Sequence, residues 1–420
     1  MSDSAIGPCF VLCKWHPEFT RAVLERAGDV YVVLDDYDVE HVEPDWTVLK
    51  RAAHVYRVSS FDALEDLGAV ATDLILRGVT VDRVLSFTEL SQYGAGYLDQ
   101  LLRRDGDPLR HLAYRDKRLM KQRVRAAGIP AARYCSLTSV EDEDGIAAVE
   151  RELTFPVVIK PAAGFGAMST IVVDEPAQLR SALSTMSFEP ILRTHQLTVE
   201  EFVPGKEICV DGLWAGGTEI AFVVHPYYEG RLDAIGGHGI DGSHIVRESD
   251  DPDLYRRLRA LHHDVNRALA ITDGPTHMEV FVQEDGHIVF SEIATRAGGG
   301  HGPMMISAYL GRNVWQLHAD IAVDGASVDK PTPVAHKVGA VNLRPKRPGV
   351  VSSLPDERKL AEHPGVLAWQ RLVSIGDRVT LTHQAEWLYL VVLSTPDAED
   401  YERLVTEVCD TFRIETEPLP

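Results

Sequence analysis

Cysteine is scarce and unpatterned. Cys9, Cys13, Cys135, Cys209 and Cys409 are five in 420 residues, an odd number with no C-x-x-C pair. That sets aside a disulfide scaffold or a thiolate metal cage and fits a reducing compartment. Long apolar runs are missing too: near the end, Trp387 to Leu393 is seven residues, against about 20 for a membrane-spanning helix. The opening stretch, MSDSAIGPCFVLCKWHPE, has no basic segment followed by an apolar core, so no secretory leader is read and a cytoplasmic location is expected. Positive charge is in deficit. The 42 Lys and Arg face 63 Asp and Glu, a formal charge of −21, and such a surface repels phosphate backbones and anionic lipid. Nucleic acid and membrane are therefore not expected as partners. A small anion held by a local cluster of Lys, Arg and metal is still allowed.

What is present is a foldable chain, 45% hydrophobic and 25% charged, long enough for two or three domains. The first part alternates strand-like and helix-like segments: Cys9–Cys13, a helical run from Pro17 to Ala27, Val30–Leu34, then Val81–Phe87 and a helix over Glu89 to Arg104. Such alternation predicts a doubly wound α/β domain with a parallel sheet, its ligand edge at the strand ends near Ser86-Phe87-Thr88-Glu89. That stretch holds no G-x-G-x-x-G to suggest a dinucleotide. A helix is predicted over Arg115 to Ala127, stopped by Gly128-Ile129-Pro130. Strands follow at Phe155–Pro161 and Ser169–Val173, two more lie around Pro204-Gly205, and a helix spans Asp253 to Ala270. A last pair, Thr276–Val282 and His287–Ile293, is joined by Glu284-Asp285-Gly286.

Three patches carry chemistry. The first is Lys160 at a strand end, followed by the small-residue loop with Gly164 and Gly166. Backbone N–H groups there can approach phosphate oxygens, although an ordinary hairpin also explains the glycines. It is not G-x-x-x-x-G-K-[ST], so a P-loop is excluded. The second is Glu200-Glu201-Phe202-Val203-Pro204-Gly205-Lys206-Glu207. A hairpin here would bring Glu200 and Glu207 together, and a solvated charged hairpin is the plainer explanation. The third is Glu279 and Glu292, each placed by period-2 alternation on the face opposite its apolar neighbours. Paired carboxylates sharing oxygens with nucleotide phosphates form a natural Mg²⁺ site. Arg296 follows, then Gly298-Gly299-Gly300-His301, a backbone anion nest beside a guanidinium.

In this order, the patches resemble the ATP-grasp family of ATP-dependent carboxylate–amine ligases, over about residues 115–303. The L-amino-acid ligases and carnosine-synthase-like dipeptide ligases are the nearest likeness. The resemblance implies an ATP-grasp fold, α/β with α+β parts, divided into an N-terminal domain (1–110), a small lid subdomain (111–200), a large subdomain (201–330) and a β-rich C-terminal subdomain (331–420). It implies ATP and Mg²⁺ or Mn²⁺ as cofactors, with small carboxylate and amine substrates, and a homodimer. By the same resemblance Lys117 and Lys160 contact ATP phosphates and Gly164 and Gly166 cover them. Glu200, Phe202 and Val203 hold adenine, Glu207 the ribose, and Glu279 and Glu292 the metal. Arg296 sits on the transferring phosphate. Glu89, His238, His244, Gly299, Gly300 and His301 are substrate-side candidates, although loop histidines more often bond locally.

One position departs from the pattern. Two residues after the second metal glutamate, where many members carry asparagine, this chain has Ala294, which puts a second metal in question. Another ATP-grasp reaction, purine-type or carboxylase-like, and a nucleotide-binding protein without catalysis are the alternatives.

Overall fold

The computed structural model describes residues 7–103, 109–229, 239–382, 386–397 and 399–418. His238 lies outside them. The N-terminal sheet contains β1 (Phe10–Cys13), β2 (Val30–Asp35), β3 (His54–Val58) and β4 (Arg83–Ser86) in the order β3-β2-β1-β4, all parallel. Its two middle strands, FVLC and VYVVLD, are buried along their whole length, as expected for strands covered on both faces. Helix α1 (Pro17–Arg26) starts where the His16 side chain accepts the Phe19 N–H and Pro17 takes the first turn. The segment predicted as a helix from Glu89 begins with a short 3₁₀ turn, Glu89–Ser91, and continues as α2 (Gln92–Leu102).

A second, four-stranded antiparallel sheet contains β5 (Tyr134–Leu137), β6 (Val157–Pro161), β7 (Ile171–Val173) and β8 (Leu197–Glu201) in the order β5-β8-β6-β7. A third contains β9 (Lys206–Ala215), β10 (Thr218–Pro226), β12 (Gly274–Val282) and β13 (Ile288–Ala294) in the order β10-β9-β12-β13. The fourth joins β11 (Gly242–His244) to β14 (Lys337–Asn342), β18 (Tyr389–Thr395) and β16 (Val366–Arg371). A small sheet of β15 (Gly349–Ser353), β17 (Arg378–Val379) and β19 (Glu415–Glu417) completes the strands. The C-terminal part is thus β-rich, yet one strand of its main sheet comes from residues 242–244. Among the described residues, no helix is long and apolar enough to cross a membrane.

Two expectations change. Strands β8 and β9 flank Pro204-Gly205 but do not form a hairpin. Both sides of β8 are taken by β5 and β6, and both sides of β9 by β10 and β12. Neither has a free edge to offer the other, so Pro204-Gly205 is a crossing between sheets. Gly205 has φ +145°, and a Cβ there would lie 2.7 Å from the Val282 carbonyl oxygen. Gly205→Ala is expected to cost about 1–3 kcal/mol, read as a lower urea midpoint with an unchanged slope; an unshifted midpoint refutes the crossing's strain.

The second change concerns helix α3 (Lys117–Ala126), placed by sequence with the small lid unit. Its Met120 and Val124 share a core with Val210, Leu258, Met278 and Phe290 of the large sheet and its covering helix. Only residues from about 134 to 201 make up the small sheet and its own core.

Candidate active site

A cavity of about 580 Å³ opens between the N-terminal strand ends, the small sheet and the large sheet. Its floor is one face of the large sheet. Antiparallel register aligns His225 of β10, Cys209 of β9, Glu279 of β12 and Glu292 of β13 in one row. In the next row Asp211, His277 and Ala294 stand side by side. Directly opposed residues share a face, so the alternation that placed Glu279 and Glu292 together corresponds to a direct cross-strand pair. Register slips just after that pair, where Val280 pairs with Phe290 and Ser291 is the extra residue. A bulge leaves ladder groups unpaired, and here the Ser291 carbonyl accepts a hydrogen bond from the Lys121 ammonium.

Three lysines converge above these carboxylates. Lys117 Nζ lies 3.2 Å from Glu292, and Lys160 Nζ lies 3.0 Å from Glu200 and 3.8 Å from Glu292. Lys121, fully buried, is 3.4 Å from Glu200. Burial would raise the Glu292 pKa, but Lys117, Lys160 and Lys121 hold it down at about 2. Glu200 is likewise lowered by Lys121 and Lys160 against the effect of burial. Burial pushes Lys121 down to about 8 despite its acidic neighbours. Lys117 Nζ and Arg115 also donate to the Gly164 carbonyl, at 2.7 and 2.9 Å, which ties the glycine loop between β6 and β7 to the cation cluster. Gly166 and its neighbour Ala167 both adopt positive φ.

Adjoining this cluster through Arg115, Glu89 meets Arg296 at 2.9 Å and Arg115 at 3.4 Å. Burial opposes its charge, yet the two arginines, with Lys117, keep its pKa lowered. Beyond Glu89 the cavity is aromatic. Trp15 and His16 follow β1, Phe87 follows β4, and Trp315 closes the end. The His16 ring lies tilted by 35° against Trp315, centroids 3.8 Å apart, and meets Phe87 edge-on at 6.0 Å.

The expected residues fall into this frame unevenly. Lys117, Lys160, Gly164, Gly166, Glu200, Phe202, Val203, Glu207, Glu279, Glu292, Arg296, Glu89, Gly299 and His301 all line the cavity. Two of them already have partners within the chain. The Phe202 N–H already donates to the Pro156 carbonyl at 2.9 Å, which leaves the Phe202 carbonyl and the backbone at Val203 to face the cavity's ligand. The Glu200 carboxylate is engaged by Lys121 and Lys160, which it holds in place. His244 is not among the lining residues; it packs against Tyr228 and Tyr401. Gly300 backs onto Trp387, where an added Cβ would come within 2.6 Å of the indole. His301 bonds through Nε2 to Ser243 Oγ at 2.8 Å.

Sequence reasoning missed Lys121, Arg115, Asp211 and His277. Lys121 had a usable signal, since it lies four residues after Lys117 on α3 and so shares its face. Asp211 had none, because only the pairing of β9 with β12 brings it to His277.

Comparison with known proteins agrees with this layout. A family model described as an ATP-grasp domain matches residues 153–304. The L-arginine-specific L-amino acid ligase of Bacillus subtilis is 29% identical over 331 residues, 78% of each chain. A D-alanine–D-alanine ligase of Kocuria rhizophila is 30% identical over 195 residues, covering 44% of this chain and 49% of that one. The crystal structure of an L-amino acid ligase from Bacillus licheniformis superposes with a TM-score of 0.75 at 15% identity, over 99% of this chain and all of that one. A cavity floored by paired glutamates and ringed by lysines, the matched domain and the whole-chain likeness agree: this chain has the ATP-grasp fold, with an ATP-grasp domain over residues 153–304.

Proposed function

We propose that the chain is an ATP-dependent carboxylate–amine ligase that joins an amino acid to a second amino acid or another small carboxylate. The observation that carries this is the single cavity in which Lys117, Lys160 and Lys121 surround Glu292 and Glu200 while Arg296 and Glu89 face them. One end suits a nucleoside triphosphate and the other a small zwitterion.

Lys117 and Lys160 would spread the charge of the ATP phosphates, with the Gly164–Gly166 loop folded over them. Glu279 and Glu292, adjacent and on the cavity face, fit a divalent cation such as Mg²⁺, which when bound would neutralise phosphate charge. The substrate carboxylate attacks the γ-phosphorus and ADP leaves, giving an acyl phosphate. Arg296 and the N–H groups near Gly298 and Gly299 stabilise the oxygens of that species and then the oxyanion formed when the amine adds. The amine loses a proton, phosphate departs and the amide remains. Arg296 is held in place for this by Glu89.

The side-chain end of the cavity favours a neutral apolar group. The wall of Trp15, His16, Phe87 and Trp315 carries no carboxylate, and burial holds the His16 pKa near 4, leaving that ring neutral. Glu89, the acid beside it, already faces two arginines. Guanidinium side chains, which the B. subtilis relative's name implies for that protein, find no matching anion there. Leu, Met or Phe is expected to be a better partner than Arg, read as kcat/KM in paired assays, and Trp315→Ala is expected to raise the KM of the apolar substrate several-fold.

The ligase reading is tested by following phosphate and ADP release across paired amino acids and small carboxylates, with mass spectrometry on the products. An amide appearing with ADP for particular pairs, and lost in Glu292→Gln, supports it. Phosphate release with no amide for any pair would overturn it.

A further inference from the structure

Ala294 removes a side chain from the metal face, and the structure places an imidazole directly across from it. His277 is the cross-strand partner of Ala294, and it lines the cavity two residues before Glu279 on the same face of β12. Its Nδ1 lies 3.1 and 3.2 Å from the two oxygens of Asp211. Its Nε2 points the other way and lies 3.5 Å from Glu279 Oε1. A hydrogen bond from one ring nitrogen to a carboxylate, with the other nitrogen turned to a second oxygen donor, is the usual arrangement of a metal-bound histidine.

The spacing fits. Two donors each about 2.1 Å from one ion lie roughly 3 Å apart at a right angle and roughly 4.2 Å apart when opposed. The 3.5 Å separation falls between these. The small residues around the ring serve the same end. Ala294 presents only a methyl group opposite it, and a Cβ on Gly298 would come within 3.0 Å of His277 Nδ1.

Cys209, His225 and His277 form a second grouping, with donor atoms within 4.8 Å of one another. Asp211 is bonded to His225 Nε2 and to His277 Nδ1, so an ion among those three held through His225 Nε2 would have to displace its carboxylate. On the Glu279 side Nε2 also has Cys209 Sγ at 4.0 Å, and Asp211 raises the His277 pKa against the effect of burial, so an ion there displaces a proton from Nε2 and no carboxylate.

Resting on the reading that Glu279 and Glu292 hold the nucleotide's cation, we propose that His277 is a third protein ligand of that metal, oriented by Asp211 and standing in for the side chain absent at Ala294. Imidazole is a donor that Mn²⁺ and Co²⁺ accept readily, whereas Mg²⁺ prefers oxygen. The site would therefore select Mn²⁺ over Mg²⁺ more strongly than an all-oxygen site does.

The test uses the full-length protein with ADP and Mn²⁺, prepared with ¹⁵N-labelled histidine, and pulsed EPR of the bound Mn²⁺. Histidine nitrogen coupling is expected in the wild type and is expected to vanish in His277→Gln. Asp211→Asn is expected to weaken Mn²⁺ binding about tenfold or more. The double variant His277→Gln/Ala294→Asn is expected to bind Mn²⁺ without nitrogen coupling. Mn²⁺ bound with ADP to the wild type but showing no histidine coupling overturns the proposal while leaving the ligase reading intact, as would an imidazolium that keeps both its protons. Because this observation is made on the wild type, it does not depend on any variant folding. Failure of Mn²⁺ to bind with ADP at all would overturn both readings.

Discussion

Arg296→Ala is expected to reduce ADP release with a productive substrate pair by about 10³-fold or more, the range in which a guanidinium on a transferring phosphoryl group acts. The residue sits at the end of β13, immediately before the glycine cluster, and Glu89 fixes it at 2.9 Å. Glu89 also meets Arg115, which shares the Gly164 carbonyl with Lys117, so on the proposed mechanism the Arg296 charge would stand beside the transferring phosphoryl group. Arg296→Lys keeps the charge and loses the planar fork, and should recover only part of the rate. Both variants are expected to stay folded, because Glu89 retains Arg115 as a partner at 3.4 Å. A steady-state ADP assay with circular dichroism alongside decides the matter. A loss under about tenfold would mean that Arg296 does not touch the transferring group.

Glu200→Ala should have the largest effect on stability, about 3–5 kcal/mol. Its carboxylate is 5% exposed as a residue and lies between two lysines, of which Lys121 is fully buried. Removing it leaves two ammonium groups in a site with little water to solvate them, the situation in which a broken buried ion pair is most costly. Lys121 would still reach the Ser291 carbonyl and Lys160 would still face Glu292 at 3.8 Å, which limits the loss. Urea unfolding measures it, and a change below about 1 kcal/mol would show that the pair is solvated like a surface bridge. Glu200→Gln isolates the charge, since it keeps the shape and an oxygen acceptor.

How far the sequence alone reaches can be judged from these same residues. Glu279 and Glu292 were legible because alternation is a local property and the Glu284–Gly286 turn joins neighbouring strands. Lys160 and the glycine loop were legible for the same reason, since β6 and β7 pair across that loop. The crossing at Pro204-Gly205 was not. A turn signal between two strands reads as a hairpin, and only the competition of distant strands for the edges of β8 and β9 decides otherwise. The His277–Asp211 pair depends on the register between β9 and β12, over 60 residues apart in the chain. The substrate side was poorly legible as well. His244 was named for its position in the chain and packs between tyrosines instead, whereas the aromatic end is assembled from β1, β4 and Trp315, three separate stretches that no local pattern links.

Both connections of the small sheet to the rest of the molecule rest on one hairpin. On the way in, the Pro130 carbonyl accepts the Phe290 N–H at 2.9 Å and Ala131 bridges to Phe290. On the way out, Gly205 packs against Val282. The strands beneath those two anchors are β12 and β13, which carry Glu279 and Glu292. The small sheet is therefore hung like a door whose jamb is the hairpin of Glu279 and Glu292. On the proposed reading of the site, movement of the small sheet on nucleotide binding would load that same hairpin, read as a change in how fast β12 and β13 exchange their amide protons with solvent.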